Sequence, residues 1–305
     1  MYKKFFGLKE NPFNVNPDPR YLFLTQHTQE AMSCLTYGIQ CRRGFILLTG
    51  EVGTGKTTLL NKLLGWLRRQ RVATSFIFNS ILDPGQFFDY MLADFGLNFD
   101  SRNKSQMLLR LNKWLLERYL VGGTAVLIVD EAQNLSPEVL EEIRLLTNLE
   151  TSTDKLLQII LSGQPELEKK LARPELRQLR QRITLRSQTQ ALTLGETRQY
   201  ISTRLRIAGA NGLPIFASES VEAIHQYSEG IPRVINLLCE HGLVGAFAEQ
   251  KNPVPPEIIQ DVAREFKLDS VSEPAPLAAT TDESLRLMEA FQTLTTLMDK
   301  MRRRD

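Results

Sequence analysis

Five short apolar runs punctuate the first two thirds of the chain. Phe45-Ile46-Leu47-Leu48-Thr49, Thr74 to Phe78, Thr124 to Val129 and Leu156 to Leu161 have strand length, and Ile183-Thr184-Leu185 closes the series. Thr28 to Gln40 precedes the first run, and Thr57 to Arg69, Pro84 to Phe95, Ser105 to Tyr119 and Ser136 to Leu149 separate the others with helical spacing. Strands that are apolar throughout are buried on both faces. Alternating with helices, they predict a parallel α/β sheet.

After about Gln190 the strands stop. Gly195 to Gly209, Ser218 to Ser228, Ile231 to Gln250 and Pro256 to Phe266 read as helices divided by Gly and Pro, which predicts a small all-α domain. Residues 268–281 form a Pro/Ala/Ser/Thr-rich linker. Residues 282–305 read as an amphipathic helix with Leu287, Phe291, Leu294, Met298 and Met301 on one seam, ending in Arg302-Arg303-Arg304. That seam spans barely two and a half heptads, enough for a weak coiled coil or a docking helix. At the other end, residues 1–43 interleave Phe5, Phe6, Phe13, Tyr21 and Phe23 with turn-forming Asn11-Pro12, Asn16-Pro17 and Asp18-Pro19. Aromatics among prolines suggest an irregular segment pinned onto a core.

The 305 residues are 42% hydrophobic and 24% charged, so the chain is globular, with a length suited to two domains. Lys plus Arg exceeds Asp plus Glu by 37 − 35 = 2, which argues against a protein that mainly coats nucleic acid. Cys34, Cys41 and Cys239 are sparse, odd in number and without metal spacing, and so read as reduced thiols. The start MYKKFFGLKE lacks a signal-peptide core, and nowhere do 18 apolar residues run together. A soluble intracellular protein is expected.

One motif carries specific chemistry. Gly50-Glu51-Val52-Gly53-Thr54-Gly55-Lys56-Thr57 matches the phosphate-loop pattern G-x-x-x-x-G-K-[ST] and sits between a buried strand and a helix, the context it needs. Its N–H groups, with Thr58 continuing the helix start, would cradle phosphate at the helix N-terminus. Lys56 would reach the β- and γ-phosphates, and the Thr57 hydroxyl would hold Mg²⁺. Downstream, Ala125-Val126-Leu127-Ile128-Val129 ends in Asp130-Glu131. A carboxylate at the C-terminal end of a parallel strand lies beside the phosphate loop, where Asp130 binds the metal and Glu131 deprotonates a water.

The order of phosphate loop, Asp-Glu strand, polar-ended strand and all-α lid resembles the AAA+ ATPases, a P-loop NTPase fold: residues 44–190 would be the core and 191–267 the lid. More narrowly, Phe5-Phe6-Gly7-Leu8, Pro12-Phe13, Pro17-Asp18-Pro19, Gly50-Glu51-Val52-Gly53, Gly163-Gln164-Pro165-Glu166-Leu167, Leu179-Arg180-Gln181-Arg182-Ile183 and Gly230-Ile231-Pro232-Arg233 are similar to the general secretion pathway protein A family over residues 1–268. The resemblance implies a sensor at Gln164, with Ser162 as the fallback, that bonds the γ-phosphate or the water. It implies a finger at Arg182, with Arg180 as the alternative, that reaches a neighbouring subunit's ATP; most other arginines between Arg173 and Arg206 would be solvated. Arg233 would be a second sensor in the lid, and the aromatic N-terminal segment would wall the adenine pocket.

The implied function is Mg²⁺-dependent ATP hydrolysis by an oligomer that assembles or remodels a bacterial secretion or envelope-export complex. Family members that act on the cell wall continue into a transmembrane helix and a peptidoglycan-binding domain; direct cell-wall contact is not expected of a chain that ends in a short helix. The expected location is the cytoplasm, with peripheral recruitment to the inner membrane left open. The rival is an ATP-dependent DNA-binding regulator resembling transposition target-selection ATPases, for which Lys62, Arg68, Arg69, Arg71 and the later arginines speak.

Overall fold

The computed structural model describes residues 2–14, 18–78, 81–97 and 103–268. Met1–Phe266 form one compact unit. Its centre is a five-stranded parallel sheet of β1 (Phe45–Thr49), β2 (Ala73–Ile77), β3 (Ala125–Val129), β4 (Leu157–Gly163) and β5 (Leu185–Gln188), in the order β2-β3-β4-β1-β5. α1 (Tyr2–Phe5) opens the chain, and around the strands run α2 (Gln26–Gln40), α3 (Lys56–Arg69), α4 (Pro84–Asp94), α5 (Lys104–Leu120), α6 (Pro137–Leu146), α7 (Pro165–Leu171) and α8 (Arg177–Arg182). Among the described residues four helices follow the last strand: α9 (Leu194–Ile207), α10 (Ser218–Ser228), α11 (Pro232–Ala248) and α12 (Pro256–Glu265).

The two faces of the sheet divide the apolar strand residues by their period of two. Phe45, Leu47, Leu127, Val129, Ile159 and Leu161 join one core with Phe87, Leu111, Leu115, Leu140 and Ile143 from α4, α5 and α6. Ile46, Leu48, Val126, Ile128 and Ile160 join the other with Leu35, Leu59, Leu63 and Leu67 from α2 and α3. Both faces are dry, which is why β1, β3 and β4 read as unbroken apolar runs.

Local signals set the helix starts. Thr25, Asp83 and Thr193 cap α2, α4 and α9, the last two through reciprocal boxes with Gln86 and Glu196. The expected strand at Ile183–Leu185 lies further on. Ile183 instead caps α8, and β5 is an edge strand with alternating half-buried and exposed residues, a pattern that an apolar-run criterion misses. α7 and α8 are too short to show a helical period, and α6 ends at Leu146 rather than Leu149.

The N-terminal segment divides its contacts. Tyr2 and Asn11 both donate to the Glu240 carboxylate on α11, Phe5 meets Phe247 edge-on at 5.6 Å, and Phe13 meets Phe216 at 6.1 Å. Tyr21 to Phe23 lie instead beside the phosphate loop. The expected linker at 268–281 and the helix at 282–305 fall, but for Leu268, outside the described residues.

Candidate active site

In this strand order β1 and β3 flank β4, so the turns after all three converge at one end of the sheet. The loop after β1 runs from Gly50 into α3, with Gly53 and Gly55 at φ of 81° and 98°. A methyl group at Gly53 would stand 2.8 Å from Arg233 Cβ, so glycine is required both for the turn and for the approach of α11. The Arg233 N–H donates to Gly53 O at 3.2 Å, which ties the start of α11 directly to the loop.

Lys56 is buried, and its ammonium donates to Gly50 O at 2.7 Å and Glu51 O at 3.0 Å. Burial pushes its pKa below the usual 10.5, partly offset by the carboxylates of Glu131 and Asp130. Thr54 bonds the Thr189 hydroxyl at 2.7 Å, fastening the loop to the chain after β5, while Glu51 and Val52 are exposed. Thr57 and Thr58 are half-buried in the first turn of α3.

Asp130, at the end of β3, is buried and has both oxygens engaged. Oδ2 accepts from the Thr57 hydroxyl at 3.0 Å, and Oδ1 from the Ser162 hydroxyl at 2.8 Å and from the Glu131 N–H at 3.0 Å. Glu131 stands in the left-handed region at φ 51°, a conformation that costs a non-glycine residue about 1 kcal/mol and turns its side chain away from the strand line. Its Oε2 accepts from Gln133 Nε2 at 2.5 Å and from Gln164 Nε2 at 3.3 Å, and Gln133 Oε1 accepts from the Gln164 N–H at 3.2 Å. The two expected sensor positions thus serve different acids, because β4 extends to Gly163: Ser162 meets Asp130 and Gln164 meets Glu131.

A cavity of about 370 Å³ opens over the loop. Val52 to Leu59 and Glu131 line one end; Tyr21, Leu22, Phe23, Tyr200, Arg204 and Asn236 line the other. That size suits a nucleotide. Of the N-terminal segment, Tyr21 to Phe23 line this cavity, whereas Phe5, Phe6 and Phe13 do not.

Arg204 departs from the expectation of a solvated arginine. It is 6% exposed, donates from Nε to Pro12 O at 2.5 Å and from Nη1 to the Tyr200 hydroxyl at 2.9 Å, and lies 4.6 Å from the Tyr21 ring centroid. Tyr200, one helical turn earlier, passes the chain of bonds on to Asn236 at 2.9 Å. The spacing of four between Tyr200 and Arg204 was the available signal. Gln133, two residues after Glu131, and Thr189 were also missed.

Arg182 is exposed, donates to Asn148 Oδ1 at 3.2 Å and does not line the cavity; Arg180 is exposed as well. Both precede β5, at the sheet end opposite the phosphate loop.

Residues 39–171 match the model of an AAA domain. General secretion pathway protein A of Aeromonas hydrophila is 43% identical over 255 residues, 83% of this chain. The chain is an AAA-domain protein related to general secretion pathway protein A. It spans about half the length of that relative, 46%. Among solved structures, CDC6P from Pyrobaculum aerophilum superposes with a TM-score of 0.62 at 17% identity, covering 86% of this chain and 70% of that one. The Aeropyrum pernix ORC2 protein, solved as ADPNP-ADP complexes, gives 0.60 at 14% identity over 87% and 75%. At such identities they establish the shared AAA P-loop fold. Among the described residues no helix of this AAA protein is long and apolar enough to cross a membrane.

Proposed function

We propose that this AAA protein is a Mg²⁺-dependent ATPase that works as an oligomer and drives assembly or remodelling of a bacterial envelope-export complex. The observation that carries the hydrolytic part is Glu131, an acid turned toward the phosphate loop and held there by Gln133 and Gln164. The relative's name supports the export part.

Lys56 would exchange the Gly50 and Glu51 carbonyls for β- and γ-phosphate oxygens. Thr57 and Asp130 present hard oxygens of the kind magnesium prefers, and the ion would supply charge neutralisation between the phosphates. Glu131 would take the proton of the attacking water, worth about 10²–10⁴-fold. Arg233 enters from the lid beside Gly53, so lid position and loop geometry are joined.

Arg182 lies away from its own cavity, which suits a residue that completes a neighbour's site. The test is complementation. Lys56→Ala lacks nucleotide binding and Arg182→Ala lacks the finger, so each is inactive alone, and mixing them should restore turnover. Parent activity per subunit should also rise with protein concentration and vanish in chelator. Full activity as a dilute monomer, or no recovery on mixing, contradicts the oligomeric reading.

A further inference from the structure

At the end of the sheet opposite the nucleotide cavity, three turns lie side by side. The α2–β1 turn carries Arg42 and Arg43, Arg68 and Arg69 end α3 with Arg71 in the turn to β2, and Arg118 lies in the last turn of α5 before the turn to β3. Arg42 Nη2 donates to Gly123 O at 2.8 Å, and the Ala73 N–H donates to Thr124 O at 3.1 Å, so all three turns meet around residues 121–124. Leu120 and Val121, where α5 passes into its turn, are 80% and 83% exposed.

The arginines are braced rather than neutralised. Arg42 lies 4.7 Å from the Tyr119 ring centroid, Arg118 4.9 Å from that of Trp114, and Arg43 donates to the Tyr37 hydroxyl at 2.8 Å. Among the described residues none of Arg42, Arg43, Arg68, Arg69, Arg71 or Arg118 has an ion-pair partner within 4.0 Å. Basic residues at a helix C-terminus are favoured by the helix dipole, which accounts for Arg68, Arg69 and Arg118 individually. It gives no reason for two adjacent aliphatic side chains in water at the same end of the sheet.

We propose that this end of the protein docks on an anionic lipid surface, with Leu120 and Val121 entering the headgroup layer and the exposed Arg43, Arg68, Arg69 and Arg71 binding lipid phosphates. Guanidinium groups pair with phosphate in a fork, and an apolar tip among cations matches both zones of a charged bilayer surface. Nucleic acid would use the arginines and leave the tip idle. The proposal rests on the fold and is independent of the ATPase reading.

The test is co-sedimentation of the full chain with phosphatidylcholine vesicles containing or lacking phosphatidylglycerol. Binding should require phosphatidylglycerol and weaken with salt. The triple variant Arg68→Gln/Arg69→Gln/Arg71→Gln should bind on the order of 10²-fold more weakly, at about 1 kcal/mol per charge. Leu120→Ser/Val121→Ser should lose about tenfold with its salt dependence kept. All five positions are exposed, so a parental thermal melt by circular dichroism serves as the folding control. A measurement that needs no variant is energy transfer from Trp66 and Trp114, near the ends of α3 and α5, to dansyl-labelled phosphatidylglycerol vesicles. Binding without regard to phosphatidylglycerol, parental binding by both variants, or absence of transfer overturns the proposal. So does duplex DNA binding that needs the arginines and ignores the tip, with no vesicle binding.

Discussion

Thr57 Oγ1 donates to Asp130 Oδ2 at 3.0 Å, joining the first turn of α3 to the end of β3 across 73 residues of sequence. Ser162 holds the other oxygen at 2.8 Å, so the carboxylate is fixed from both sides before any ligand arrives. Asp130→Asn keeps the shape, and both hydroxyls can turn to suit the amide. It removes the charge that a magnesium ion would need. Hydrolysis should fall by about 10²-fold or more, with partial recovery at high magnesium, while thermal stability stays near parental. Magnesium titration of phosphate release checks this.

Arg204 is a structural pin as well as part of the cavity wall. Its guanidinium holds Pro12 O and, at 3.5 Å, Asn14 O from the N-terminal segment and the Tyr200 hydroxyl from α9. Arg204→Ala should cost about 2–4 kcal/mol in urea unfolding, because charged hydrogen bonds and ring contacts are lost together. Arg204→Lys should recover less than half, since an ammonium cannot reproduce the fork. A cost below 1 kcal/mol would show that the segment is held without it.

The legible part of the site is the part whose chemistry demands adjacent residues. A phosphate loop needs its glycines, lysine and threonine in one turn, and a metal-binding acid must end a buried strand. Gly50 to Thr57 and Asp130-Glu131 are therefore visible as strings. Arg204 carries only its spacing of four from Tyr200 as a signal, because its burial depends on Pro12 and Tyr21, far away in sequence, and it stands in an arginine-rich stretch. Gln133 and Gln164 meet at Glu131 only because β3 and β4 are neighbours. β5 escaped for a different reason: as an edge strand its residues alternate between half-buried and exposed, so it has no apolar run.

The buried ammonium of Lys56 predicts an alkaline limit. Its lowered pKa means that the loop keeps its cation at lower pH and loses it as pH rises through a value below 10.5. kcat/KM, which reports the free enzyme, should fall on that limb, whereas kcat should hold to higher pH because bound phosphate favours the charged form. By linkage, the folded protein without nucleotide binds fewer protons here than the unfolded chain, so this group's contribution to stability improves as pH rises through the same window. A kcat/KM profile flat to pH 10.5 contradicts the assignment.

Glu131 is the proposed base of the ATP-hydrolysing site. Glu131→Gln preserves the side-chain length and leaves Asp130, Thr57 and Lys56 untouched, so ATP binding should persist in equilibrium dialysis. Single-turnover hydrolysis on the same samples is the measurement that decides. Parental binding with hydrolysis slowed by about 10²-fold or more is the expected result. Hydrolysis at the parental rate would contradict it.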